Sequence, residues 1–151
     1  MKPLVYITGA GGYLGTALMR KFLCERKYNI FTSFDNINEV TNDGVKADVI
    51  IHLAAKLPSF RGDEKVILKT NVEATKNLVV NKCKTDTHFI FLSTDYVFKS
   101  DKNKLNCVGD PRNPETVYGQ SKVEAEDFLL HQKNIDVTVL RTSMLYGYDH
   151  P

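Results

Sequence analysis

A chain of 151 residues suffices for one domain with a proper core, and its 42% apolar and 25% charged content is ordinary for a soluble globular protein. The formal net charge of +2 is too small and too dispersed to argue for nucleic-acid binding. No apolar run approaches the roughly 20 residues that cross a bilayer, and Met1-Lys2-Pro3 before a short apolar stretch is not a secretory signal.

Leu4 to Ile7 read as a short buried strand, followed by the glycine-rich turn Thr8-Gly9-Ala10-Gly11-Gly12-Tyr13-Leu14-Gly15. From Tyr13 onward Leu14, Ala17, Leu18, Phe22 and Leu23 recur at helical spacing. A strand, a tight glycine turn and a helix N-terminus together make a dinucleotide phosphate site. Gly9 permits the sharp turn, Gly12 lets backbone approach pyrophosphate, and Gly15 allows close helix–strand contact. The helix dipole and its N–H groups then face the anion.

Asn29 to Phe34 read as a second strand that runs into Asp35. Asp35 stands 20 residues beyond Gly15, where this fold places an acid against the adenosine ribose 2′-hydroxyl. Such an acid repels a 2′-phosphate and leans toward NAD over NADP; the plain alternative is a solvated loop acid. Residues 37–47 are polar, with a turn at Asn42-Asp43-Gly44. Ala47 to Leu53 then form another buried strand of the near-continuous apolar kind found in parallel sheets. His52 within it reads as a core or strand-end histidine. Ala54 and Ala55 are small residues at the strand's C-terminal end, where a cofactor can lie against backbone.

Residues 63–82 read as a helix with Val66, Ile67, Thr70, Ala74, Leu78 and Asn81 on one face. By pattern alone Asn71 is a surface polar residue. His88 to Leu92 form the next strand, ending in Ser93-Thr94-Asp95. Hydroxyls there stand where parallel sheets bind ligands, although Ser and Thr are also common turn residues. A polar loop over 99–117 leads to a helix from about Val117 that carries Tyr118 and Lys122. Asp136 to Leu140 form the last clear strand. Strands alternating with helices predict a doubly wound, Rossmann-like α/β fold, a parallel sheet flanked by helices.

Tyr118 and Lys122 are four apart and share a helix face. A phenol titrates near pH 10, and a neighbouring ammonium is expected to pull that value down toward the working range. The lysine can also hold a nicotinamide ribose, and a threonine hydroxyl opposite would orient a substrate carbonyl. These parts suit hydride transfer from nicotinamide to a carbonyl carbon while Tyr118 protonates the oxygen. Taken alone, such a Tyr–Lys pair is a solvated helix face. Cys24, Cys83 and Cys107 are odd in number and lack metal spacing, so reduced structural thiols in a cytoplasmic protein are expected, with no metal.

The turn TGAGGYLG, then HLAA, NVEATKNL, STDYVF, YGQSK and RTSMLYG, occur in an order that resembles the extended short-chain dehydrogenase/reductase family across essentially the whole chain. The last three motifs look most like the dTDP-4-dehydrorhamnose reductase branch. The resemblance implies that Thr94, Tyr118 and Lys122 are catalytic. It also implies that Gly9, Gly12, Tyr13, Leu14, Gly15, Asp35, Ala54 and Ala55 contact NAD(P)H, with Asn71 helping to place the lysine and a water. The implied reaction is reduction of a nucleotide-linked 4-keto sugar. Two alternatives stay open: a sugar-nucleotide epimerase or dehydratase with the same triad, and a non-catalytic regulatory subunit of the kind that serves methionine adenosyltransferase. A homodimer paired through the Tyr118 helix is a further implication.

The sequence departs from the family in three places. Only 18 residues separate Asp35 from Ala54, so a helix, and with it the family's third strand, is expected to be shortened or lost. Met144 stands where the reductases often carry tryptophan beside the sugar nucleotide. The sequence ends soon after RTSMLYG, so residues 1–151 are expected to be the NAD(P)-binding Rossmann domain of a longer architecture, with the C-terminal substrate lobe largely missing.

Overall fold

The computed structural model describes residues 1–33, 40–41, 43–58, 64–101, 103 and 105–147. Five strands, β1 (Leu4–Thr8), β2 (Asn29–Ser33), β3 (Ala47–His52), β4 (Cys83–Thr94) and β5 (Ile135–Thr142), form a parallel sheet in the order β2-β1-β3-β4-β5. Helix α1 (Tyr13–Glu25) joins β1 to β2. Helices α2 (Glu64–Leu68) and α3 (Ala74–Lys82), separated by a π-helical segment over Lys69–Glu73, join β3 to β4. Helix α4 (Val117–Leu130) joins β4 to β5. Among the described residues between Ser33 and Ala47 there is neither helix nor strand, and β3 pairs directly with β1. That matches the short span between Asp35 and Ala54.

Alternation along the strands divides the core into two layers. Val5 and Ile7 of β1 face α1, packing with Ala10, Leu18, Met19 and Phe22. Tyr6 and Ile50 face the other way, toward Ala74, Leu78, Phe89, Phe91, Ala125 and Leu129 of α3, β4 and α4. Helices on both faces make the sheet doubly wound, as the pattern predicts. The chain leaves β1 toward β2 on one side and resumes with β3 on the other. The crevice above β1 and β3 is therefore the topological switch point, where open α/β sheets bind ligands.

The face assigned to residues 63–82 needs correction. Ile67, Ala74 and Leu78 are buried as expected, but Val66 is 44% exposed, and Asn71, Val72, Thr75 and Lys82 are buried. The π segment widens one turn and rotates the buried face, so a uniform helical period assigns Val66 and Asn71 to the wrong sides.

Candidate functional site

At the end of β1 the backbone turns at Gly9, whose φ of +69° an L side chain rarely adopts. A Cβ there would lie 2.7 Å from Ala54 N, so the turn is pressed against the chain leaving β3. A Cβ at Gly15 would come 2.1 Å from Gly9 O, which fixes α1 close to the turn. Gly12 is the N-cap of α1; it carries no side-chain cap, and no acid stands in the first turn. Gly11 faces open space, and a Cβ there would meet nothing within 4 Å. A cradle tight on its inner side and open on its outer side, at a helix start without negative charge, fits a phosphate group.

The other expected dinucleotide contacts fall around this turn. Tyr13 and Leu14 are half-buried in the first turn of α1, and Gly147 lies so near Tyr13 that a methyl there would sit 2.3 Å from the phenol oxygen. Ala54 and Ala55 are half-buried just beyond β3. Asp35 lies outside the described residues.

Thr94 ends β4 and is buried. Its hydroxyl donates to Asp95 Oδ1 at 3.2 Å and accepts from the Tyr96 N–H at 3.3 Å, capping the short 3₁₀ turn Asp95–Val97. The Tyr96 ring meets Tyr118 edge-on, with centroids 6.2 Å apart. Thr116 caps α4 by accepting from the Gly119 N–H at 3.0 Å. A Cβ at Gly119 would lie 2.3 Å from Tyr96 O, so the start of α4 is held against the end of β4. This contact brings Thr94 and Tyr118 into one neighbourhood.

Lys122 is buried, and its Nζ stands 4.0 Å over the Phe91 ring. Burial pushes its ammonium down to about 7, against the opposing pull of Glu126. The phenol of Tyr118 corrects an expectation. Its pKa is raised, first by burial and then by Asp95 and Tyr96, and is not drawn down by Lys122. Helical spacing set the two on one face, but Lys122 is directed at Phe91 beneath it. At neutral pH Tyr118 is held in its acid form, the form a proton donor needs.

Asn71 is buried, not on the surface. Its amide accepts from the Lys56 N–H at 2.7 Å and donates to Lys56 O at 3.1 Å and to Ser121 Oγ at 2.9 Å. Ser121, between Tyr118 and Lys122, donates in turn to Tyr118 O at 2.7 Å. The π segment is thus joined to the helix that carries the Tyr–Lys pair.

One further group, Glu126, goes unmarked by any sequence motif. Glu126 is fully buried, accepting from Ser93 Oγ, Arg112 Nη1, Arg141 Nε and Arg141 Nη2. Its place four residues after Lys122 extends the series 118, 122, 126, and that spacing is the only signal the sequence offers. His52, read from the sequence as a core or strand-end histidine, is indeed fully buried at the end of β3, bonded on both ring nitrogens.

A family model described as the RmlD substrate binding domain matches residues 1–151. The chain belongs to that family. It is 30% identical to a dTDP-4-dehydrorhamnose reductase of Aggregatibacter actinomycetemcomitans, over 93% of this chain and 51% of the relative. It is 32% identical to methionine adenosyltransferase 2 subunit beta of Xenopus tropicalis, over 93% of this chain and 46% of the relative. Among solved structures, a dTDP-4-dehydrorhamnose reductase of Bacillus anthracis in complex with NADP superposes with a TM-score of 0.82 at 28% identity. That match covers 100% of this chain and 57% of the other. The RmlD-family chain spans about half the length of these relatives. The Rossmann-like fold and the resemblance to extended short-chain dehydrogenases/reductases both hold. Among the described residues no helix is long and apolar enough to cross a membrane.

Proposed function

We propose that this chain is the dinucleotide-binding part of an NAD(P)H-dependent reductase of nucleotide-linked 4-keto sugars, similar to dTDP-4-dehydrorhamnose reductase. The observation that carries the proposal is the joining of the glycine cradle, the end of β4 and the Tyr118 helix at one edge of the sheet. Gly9, Gly12, Tyr13, Leu14 and Gly15 would hold the pyrophosphate. Asp35 would meet the adenosine ribose, Ala54 and Ala55 would flank the cofactor, and Lys122, steadied through Asn71 and Ser121, would hold the nicotinamide ribose. A bound dihydronicotinamide supplies hydride. Tyr118, kept protonated by its surroundings, donates its proton to the carbonyl oxygen, which Thr94 orients once its hydroxyl turns from Asp95. The free thiols Cys24, Cys83 and Cys107 fit a reducing cytoplasm. Pairing of α4 with its equivalent in a homodimer is part of the same reading, checked by sedimentation.

The chain should bind NADPH or NADH, and in a protein that also carries the substrate lobe, Tyr118→Phe should lower the rate at which a dTDP-4-keto-6-deoxy sugar oxidises the nicotinamide about 100-fold or more. An unchanged rate in Tyr118→Phe contradicts the assignment. Similarity to methionine adenosyltransferase 2 subunit beta supports a second reading, a non-catalytic subunit; binding of NADPH without any turnover would favour it. Nicotinamide nucleotide retained through purification and never consumed, with the sugar converted, would favour the epimerase or dehydratase.

A further inference from the structure

His52 closes β3 and is 1% exposed, with partners far away in sequence on either side. Nδ1 lies 2.6 Å from Thr8 Oγ1, and Nε2 lies 2.9 Å from Thr75 Oγ1. The bonds around it fix the polarity of the whole series. Thr75 Oγ1 donates its one hydrogen to Asn71 O at 2.7 Å, so toward His52 it can only accept. Nε2 therefore carries the proton, and Nδ1 is the acceptor for the Thr8 hydroxyl. Thr8 Oγ1 in turn accepts from the Ala54 N–H at 3.3 Å. One directed series runs from Ala54 N–H through Thr8, His52 and Thr75 to the carbonyl of Asn71.

We propose that His52 is a positioning residue: its two ring nitrogens couple the glycine-rich turn and Ala54 to the π-helical segment that presents Asn71. Its functional consequence rests on the dinucleotide reading above; its geometry does not. Thr8 immediately precedes Gly9, and the Asn71 side chain reaches Ser121 on the Tyr118 helix. A displacement at either end is thereby passed to the other along the series. Only a neutral imidazole with the proton on Nε2 serves, because a second ring proton would face the hydroxyl that Thr8 donates. Burial, and then the charge of Lys122, hold the ring neutral, with its pKa pushed down to about 3. Among the described residues, Lys122 on α4 is the charged group that acts on it; Phe89 and Phe91 on β4 supply the apolar walls.

The test uses the full chain. Nitrogen–hydrogen correlation spectra of the histidine rings should show His52 as the Nε2–H tautomer, without titration, from about pH 5 to 8. Thr75→Val, which keeps shape but removes the acceptor, should weaken NADH binding about tenfold, while Thr75→Ser should restore it. An Nδ1–H tautomer, titration within that range, or a folded Thr75→Val with unchanged NADH binding would each overturn the proposal. If wild type binds neither NADH nor NADPH, the functional reading fails by itself. The coupling is then judged on the free protein, where Thr75→Val must shift the Ala54 amide signal; an unmoved signal overturns it.

Discussion

Asn71 Nδ2 donates to Ser121 Oγ across 2.9 Å, and this bond between two buried side chains ties the π segment to the helix of Tyr118 and Lys122. The same amide satisfies both backbone groups of Lys56. Asn71→Leu leaves the Lys56 N–H and carbonyl and the Ser121 hydroxyl short of partners. It should cost about 1–3 kcal/mol of stability, measured by urea unfolding, and should weaken reduced-nicotinamide binding.

Glu126 gathers two guanidinium groups and the Ser93 hydroxyl around one buried carboxylate. Despite burial its pKa is lowered, by the bonds from Arg141 and Ser93 and the charge of Arg141, with Arg112 adding to them. Glu126→Ala removes one partner of a buried ionic group and should cost about 3–5 kcal/mol. Because the folded pKa is depressed, this stabilisation is present above the ordinary carboxylate range and is lost as pH falls through the folded value. Unfolding midpoints of wild type and Glu126→Ala should converge in acid.

His52 and Lys122 make stability rise with pH in two separate windows. His52 falls from 6.5 to about 3 on folding, so between those values the unfolded chain binds the extra proton and acid destabilises. Lys122 falls from 10.5 to about 7, and the same sign applies there, with the penalty complete below about 7. Each window contributes about 1.4 kcal/mol per pH unit. Lys122→Met should therefore be more stable than wild type at pH 7, should lack the upper slope, and should be inactive. Denaturant titrations at a series of pH values read the first two, and the reductase assay reads the third.

The glycines of the turn are not equivalent. Gly15→Ala puts a methyl against Gly9 O and should destabilise by about 1–3 kcal/mol. Gly11→Ala meets open space and should leave stability nearly unchanged. Thermal melts of the two variants, run in parallel, check the contrast.

The β1–turn–α1 unit and the alternation of strands and helices are legible in the sequence because their signals are local: a short apolar run, fixed glycine spacing, helical periodicity. The Tyr118–Lys122 spacing is equally local. What the spacing cannot carry is direction, and Lys122 turns toward Phe91 while burial raises the Tyr118 phenol. The π segment escapes because a periodicity count assumes one constant turn. The partners of His52 and Glu126 escape for another reason. Thr8 lies 44 residues before His52, and Ser93 lies 33 residues before Glu126. A single buried polar residue acquires its meaning only when folding delivers such distant partners.

The turn from Thr8 to Gly15 should form a working dinucleotide site. Titration of the chain with NADH and NADPH, followed by nicotinamide fluorescence with Gly12→Asp as control, tests it most directly. Binding should be saturable and should be lost when a carboxylate occupies the N-cap of α1. Absence of binding to either nucleotide, or equal binding by Gly12→Asp, would contradict it.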